Sequence, residues 1–196
     1  MKGGSMRGRV LTALLGLFLV TAVLLLLFLT AWAEEEKEFD LQVYLTKEQA
    51  FELAFPGADH IDKDKKWLTD EQRNRIGELS MHTISENRMT WYVGIKDGKP
   101  MGYLFIDNVI GKSFPITFMV VLNVDGTVRD VEVMVYREPR GWEVRFKSFL
   151  SQFSGKKADS DYRDINSITG ATLSVRSMVR GVQKAAAAYR VLFLGK

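Results

Sequence analysis

The chain has 196 residues, room for one domain of ordinary size and a short appendage, and its 46% hydrophobic content argues for a packed core. Its net charge of +3 comes from Lys2, Arg7 and Arg9, which precede the first acid, Glu34. The other 24 of its 27 Lys and Arg balance 24 Asp and Glu, so charge gives no ground for nucleic-acid binding. With no Cys and only His60 and His82, the sequence excludes disulfides, iron–sulfur clusters, c-type haem attachment and thiol catalysis; no metal site is expected, and any electron carrier must be organic.

From Val10 to Ala33 the sequence is uncharged. As a helix this run would be about 35 Å long, enough to cross a bilayer core of about 30 Å. Basic residues precede it and "EEEKE" (Glu34–Glu38) follows, so the positive-inside rule puts everything after residue 33 on the extracytoplasmic side. The run is longer than a signal-peptide core, which favours a retained single-pass anchor. "AWA" before Glu34 keeps open the alternative, a cleaved signal and a free periplasmic or secreted domain. The expected organisation is an anchor or signal over 1–33, a helical region over 34–89, and a domain over 90–196.

"LTKEQ" (Leu45–Gln49) and "LTDEQ" (Leu68–Gln72) each fit a capping box, with Thr46 and Thr69 as N-caps. They predict helices of about 8–10 residues, the first ending near Phe55-Pro56-Gly57. The lysine-interleaved "DKDKKWLTDE" reads as a solvated loop. From Thr90 the pattern changes. "TWYVGI", "MGYLFIDNV", "ITFMVVLNV" and "TVRDVEVMVY" read as strands joined by the turn signals "KDGKP", "GKSFP" and "DG". In the last of them Val128, Asp130, Glu132 and Met134 oppose Val131, Val133 and Val135. Such short connections predict an antiparallel meander. "GWEVRFKSFLSQF" reads as a helix with Trp142, Phe146, Phe149, Leu150 and Phe153 on one face. "GKKADSDYRD" is a polar loop, and Val175, Met178, Val179, Val182, Ala186, Tyr189 and Phe193 mark a final helix. The expected fold class is α+β: an antiparallel β-meander packed by helices, preceded by one N-terminal transmembrane or signal helix.

Between the polar loop and the final helix stands "TGAT", Thr169 to Thr172. Gly170 permits a left-handed or close-approach backbone. The helix begins near Leu173, so its unsatisfied N–H groups and positive dipole end face the turn and suit a phosphate, with Arg176 one turn on to help neutralise it. The plain alternative is that Thr169 or Thr172 is an N-cap worth about 1 kcal/mol. The residues alone leave both readings open.

"TGAT" followed by "LS" resembles the Ser/Thr-Gly-Ala-Thr signature of the FMN-binding domain family, which includes covalent-flavin subunits of the Rnf and Na⁺-translocating NADH:quinone reductase complexes. The strand region, a Glu-x-x-Gly piece at Glu138–Gly141 and "FLSQFSGK" (Phe149–Lys156) are similar to the family too; the resemblance covers roughly Thr90 to Phe193. It implies FMN attached covalently through a phosphoester to Thr172, with Thr169, Gly170 and Ala171 forming the turn. Asn166, Leu173, Glu138, Gly141 and Arg176 complete the expected cofactor-binding set, and a separate flavin transferase makes the bond. Asn166 stands where the transferase-recognised pattern usually has Asp, and Asp164 lies two residues earlier. Asn can hydrogen-bond a turn as Asp does but carries no charge. A Thr hydroxyl is a poor nucleophile without a base or metal, and no His or Cys adjoins Thr172, which agrees with an outside enzyme.

The resemblance thus implies a membrane-tethered electron carrier with a redox partner protein or membrane complex, rather than a stand-alone catalyst; no catalytic residue is expected. The alternative is an anchored, non-redox binding module with an unmodified TGAT turn. Trp142, Phe146, Tyr136 and Tyr103 are either ring neighbours of the flavin or core, and Glu138 and Arg140 either touch it or are solvated. No G-x-G-x-x-G follows a strand, so the chain does not read as an NADH-binding reductase.

Overall fold

In the computed structural model, residues 14, 16–25 and 41–195 are described. Residues 16–25 are helical and exposed. Most of the expected apolar span, its acidic flank and the cleavage motif lie outside the described residues. Among the described residues no helix is long and apolar enough to cross a membrane.

A second unit, Phe39–Lys196, is built on six strands: β1 (Gln42–Val43), β2 (His60–Trp67), β3 (Arg88–Lys96), β4 (Lys99–Ile110), β5 (Pro115–Leu122) and β6 (Val128–Tyr136). Their order is β1-β6-β5-β4-β3-β2, and every neighbouring pair is antiparallel. The predicted meander is therefore the centre of the sheet. Both capping boxes form: Thr46 and Thr69 each accept from the N–H of Gln49 or Gln72, whose side chain accepts in return. They start α1 (Lys47–Ala54) and α2 (Asp70–Ser80). The long closing helix is α3 (Thr172–Phe193). One core lies between the sheet and α2 and α3, around Trp91, Phe118, Phe149, Phe153, Met178 and Tyr189. A smaller one lies under α1 on the other face, around Ala50, Ala54, Phe55, Leu104 and Met119.

Three expectations need correction. The stretch expected as a solvated loop is β2, paired to β3 along its whole length from His60↔Ile95 to Trp67↔Arg88. The 34–89 region therefore contributes strands as well as helices. An edge strand tolerates alternating Lys and Asp, because one of its edges stays in water and charges there discourage further pairing. The alternation in β6 also fails: register shifts at Thr117/Phe118 and Val121/Leu122 leave Met134 and Val135 both on the α1 face and turn Tyr136 into the α3 core. Finally, the expected single helix after Gly141 is three short pieces, Trp142–Arg145, Lys147–Leu150 and Ser151–Phe153. Phe146 breaks it with ψ 138°, so Val144, Phe149, Leu150 and Phe153 are buried while Trp142 and Phe146 are exposed.

The α2–β3 connection is stapled to α3 by Lys184, whose ammonium lies 2.7 Å from Glu86 and 2.6 Å from Asp107. Burial opposes ionisation of Glu86, but the hydrogen bond and charge of Lys184 outweigh it and hold the carboxyl below its ordinary range. Burial likewise opposes the Lys184 charge, and Asp107 and Glu86 reverse it, raising its pKa. The depressed carboxyl contributes stability above an unfolded pKa of about 4.3, lost as pH falls through the folded value; the raised amine contributes below about 10.4, lost as pH rises through its folded value. Lys184→Met should therefore cost about 2 kcal/mol near neutrality, and the gap to the parent should narrow as melts are taken below pH ~4.

Candidate functional site

The turn before α3 closes where Ala171 N–H donates to the Ile168 carbonyl (3.0 Å), with Gly170 at φ +84°. A Cβ there would meet nothing within 4 Å, so the backbone angle, not space, calls for glycine. Ala171 is buried in the α3 core, while Thr169, Gly170, Thr172 and Leu173 are exposed. The first intrahelical bond runs from Val175 N–H to the Ala171 carbonyl (2.9 Å), so the N–H groups of Thr172, Leu173 and Ser174 precede it. Ala171 is the N-cap and no side chain caps the helix. The N-cap reading of Thr169 and Thr172 is thus not what the chain does: Thr46 and Thr69 cap their helices, and these two do not. Thr172, the first helical residue, presents a hydroxyl with no hydrogen bond among the described residues. Arg176, one turn on, is exposed and has no ion-pair partner among them. Open N–H groups, a positive helix end and a free guanidinium fit a phosphate ester.

The Glu-x-x-Gly piece supports this end from below. Glu138, 5% exposed, accepts at Oε1 from the N–H groups of Ser113 (2.7 Å) and Phe114 (2.9 Å), fastening the β4–β5 hairpin. It is neither a solvated charge nor turned to the exposed turn. Tyr136 Oη donates to the Arg140 carbonyl (2.8 Å) and lies 2.9 Å from Ser174 Oγ, in the first turn of α3. Burial raises the Tyr136 pKa and keeps its proton in place. Gly141 has φ +86°, and a Cβ on it would stand 2.7 Å from Tyr136 Oη and 2.8 Å from Ser174 Oγ. Gly141 and the TGAT turn are therefore parts of one packed junction.

Of the four aromatic candidates, Tyr136 is core. Tyr103 packs on Tyr189 (4.8 Å) and Phe193 (4.7 Å), at the far end of α3. Trp142 and Phe146 stack edge to face at 5.4 Å on the surface, with the Arg145 guanidinium over both rings and over Tyr44. These two are exposed, as is Leu173 in the first turn of α3.

Sequence reasoning missed Gln152 and Lys156, both inside the quoted "FLSQFSGK". Gln152 Oε1 accepts the Asn166 N–H (2.7 Å), and Lys156 donates to the Asp161 carbonyl (2.7 Å) and to Asp164 (2.7 and 2.9 Å). The Asn166 side chain is exposed and, among the described residues, makes no hydrogen bond to the turn; its backbone does the holding. A Lys and a Gln whose partners lie 8 and 14 residues ahead in sequence leave no local pattern to read. Lys156→Met should leave the core intact but cut the protection of 157–166 against proteolysis roughly tenfold, as loss of a charge-assisted bond of about 1.5 kcal/mol requires.

Residues 111–187 match the family model described as the FMN-binding domain. One relative, the G-type component of the "Proton-translocating ferredoxin:NAD(+) oxidoreductase complex" of Clostridium ljungdahlii, is 26% identical over 126 residues, covering 59% of this chain and 68% of that protein. Among solved structures, NqrC of Shewanella oneidensis overlays with a TM-score of 0.45 at 17% identity, covering 73% of this chain and 71% of that one. The corresponding component of the Na(+)-translocating NADH-quinone reductase of Parabacteroides distasonis overlays at 0.48 and 15%, covering 71% and 79%. The family match runs from Gly111, packed on Glu138, through Gly141 and the TGAT turn into α3, so the segment that is similar to the FMN-binding domain family is the one that builds this junction.

Proposed function

We propose that this protein is a membrane-tethered electron-transfer flavoprotein that carries FMN through a phosphoester to Thr172, on the extracytoplasmic side, within a membrane redox complex of the kind named for its relative. The observation that carries the reading is the Thr172 hydroxyl, exposed and without a hydrogen bond among the described residues, at the first position of an uncapped helix in a turn with the family's signature. The N–H groups of Leu173 and Ser174 and the Arg176 guanidinium would hold the phosphate. Trp142 and Leu173 offer apolar surface to the flavin ring. Bound there, FMN supplies one- and two-electron chemistry, and the protein supplies position and redox tuning. Covalent attachment suits an exported site, because a reversible one fills only when free ligand exceeds its Kd.

The test is the intact mass of the full chain, made with and without a co-expressed flavin transferase. A gain of one FMN less one water, only with the transferase, is expected. No gain with a transferase shown competent on another substrate would overturn attachment in the natural chain. Asn166→Asp then separates the causes. Because the Asn166 side chain makes no hydrogen bond among the described residues, the change adds charge without disturbing the turn; gain restored means a lost recognition residue, and no gain means a domain that does not carry covalent flavin.

A further inference from the structure

The chain has five asparagines, and the fold leaves one of them unprotected. Asn74 lies inside α2, where the N–H of the next residue, Arg75, belongs to the helix ladder. Asn87 accepts from the Arg73 guanidinium (2.8 Å). Asn108, in β4, accepts from the Thr117 hydroxyl (2.7 Å), and Asn123 donates from Nδ2 to the Thr127 hydroxyl (2.9 Å). Each of these four is followed by a long or β-branched residue: Arg75, Arg88, Val109 and Val124.

Asn166 has none of these restraints. It lies in neither helix nor strand, and its exposed side chain makes no hydrogen bond among the described residues. The next residue is Ser167, small and exposed, whose N–H donates no hydrogen bond among them. What holds Asn166 is its own N–H, on Gln152 Oε1 (2.7 Å), and that bond engages neither the side chain nor the following peptide. An asparagine side chain is short enough to meet the main-chain nitrogen that follows it. A hydrogen-bonded side chain, a regular backbone or a branched neighbour keeps the two apart; where all are missing, they can reach an attacking geometry.

We propose that Asn166 is a site of spontaneous deamidation. The Ser167 main-chain nitrogen, having lost its proton, attacks Asn166 Cγ and closes a five-membered succinimide. The bond from Cγ to the side-chain nitrogen breaks, and that nitrogen leaves as ammonia. Water then opens the ring: attack at Cγ gives aspartate, and attack at the main-chain carbonyl carbon gives isoaspartate. One water enters, one ammonia leaves, and nothing is oxidised or reduced. The change falls three residues before the TGAT turn. Either product adds a carboxylate to this exposed stretch. Isoaspartate also lengthens the main chain by one methylene, between the Gln152 bond and the Ala171–Ile168 closure. Neither product depends on flavin at Thr172.

The test holds the full-length, unflavinylated chain folded at mildly alkaline pH, with samples taken over weeks and digested with trypsin beside a zero-time control. Asn166 falls in the peptide Asp164–Arg176, Asn87 in Ile76–Arg88, Asn108 in Asp97–Lys112 and Asn123 in Ser113–Arg129. A gain of about 1 Da, divided between two chromatographic forms, is expected in Asp164–Arg176. It should appear roughly tenfold faster there than in the other three peptides, and faster still as pH is raised. Ser167→Val should slow it roughly tenfold by crowding the attacking nitrogen. Asn166→Gln, whose ring would have six members, should remove it from the same peptide. No gain at Asn166, an equal gain in Ser113–Arg129, a gain that appears only after unfolding, or a Ser167→Val chain that reacts at the parent rate would each overturn the proposal. Because no flavin is present, the intact-mass result stands or falls separately.

Discussion

Thr172→Ala should abolish the gain in mass completely while leaving the melting temperature unchanged or slightly raised. The two halves of this expectation have separate causes. The hydroxyl is the only atom on that side chain able to form the ester, so its loss admits no partial product. The same hydroxyl makes no hydrogen bond among the described residues and stands at the first helical position, not at the cap. Ala is a better helix former than Thr by about 0.5 kcal/mol, so stability should hold or rise. A capping Thr would behave oppositely and lose about 1 kcal/mol, as Thr46→Ala or Thr69→Ala should, since each of those hydroxyls accepts from the third helical N–H. Thr169→Ala should keep the gain, because Thr169 serves the turn by position and not by its side chain. A Thr172→Ala chain that still gained one FMN less one water would place the linkage elsewhere and end the assignment.

The meander and the helix starts were legible because their causes are local. The capping boxes span four residues, and hairpin signals such as Asp125-Gly126 sit between short apolar runs. What escaped depends on contacts distant in sequence. β2 is a strand only because β3 pairs with it, and its Lys and Asp residues suit an outer edge that its own sequence does not announce. Tyr136 enters the α3 core because of a register shift opposite Thr117 and Phe118, which no alternation rule foresees. At the site, Thr172 was readable as a motif residue, but its exposed, uncapped position was not. That depends on Ala171 being drawn into the core and on Ser174 being engaged by Tyr136. Glu138 was left between a flavin contact and a solvated charge for the same reason: the hairpin N–H groups it accepts from, at Ser113 and Phe114, lie far back in the sequence.

Gly141→Ala should cost about 3 kcal/mol and lower the melting temperature by about 9 °C, and it should also reduce flavin loading although residue 141 is 31 positions from Thr172 in sequence. An Ala at φ +86° carries strain of about 1 kcal/mol, and its Cβ would lie within 3.0 Å of both Tyr136 Oη and Ser174 Oγ. Relieving that contact separates two buried hydroxyls and moves the first turn of α3, at about 1 kcal/mol for each bond disturbed. Tyr136→Phe alone should cost about 1 kcal/mol, leaving the Arg140 carbonyl and Ser174 Oγ without it. The double variant decides the mechanism. If the clash with Oη matters, removing that oxygen relieves part of the Gly141→Ala penalty, and the double variant should be more stable than the sum of the singles by about 1 kcal/mol. Strict additivity in thermal or denaturant melts would mean that Gly141 is required for its backbone angle alone. Loading should then recover in the same order as stability, because the position of the Thr172 hydroxyl is set by the turn that Tyr136, Gly141 and Ser174 hold.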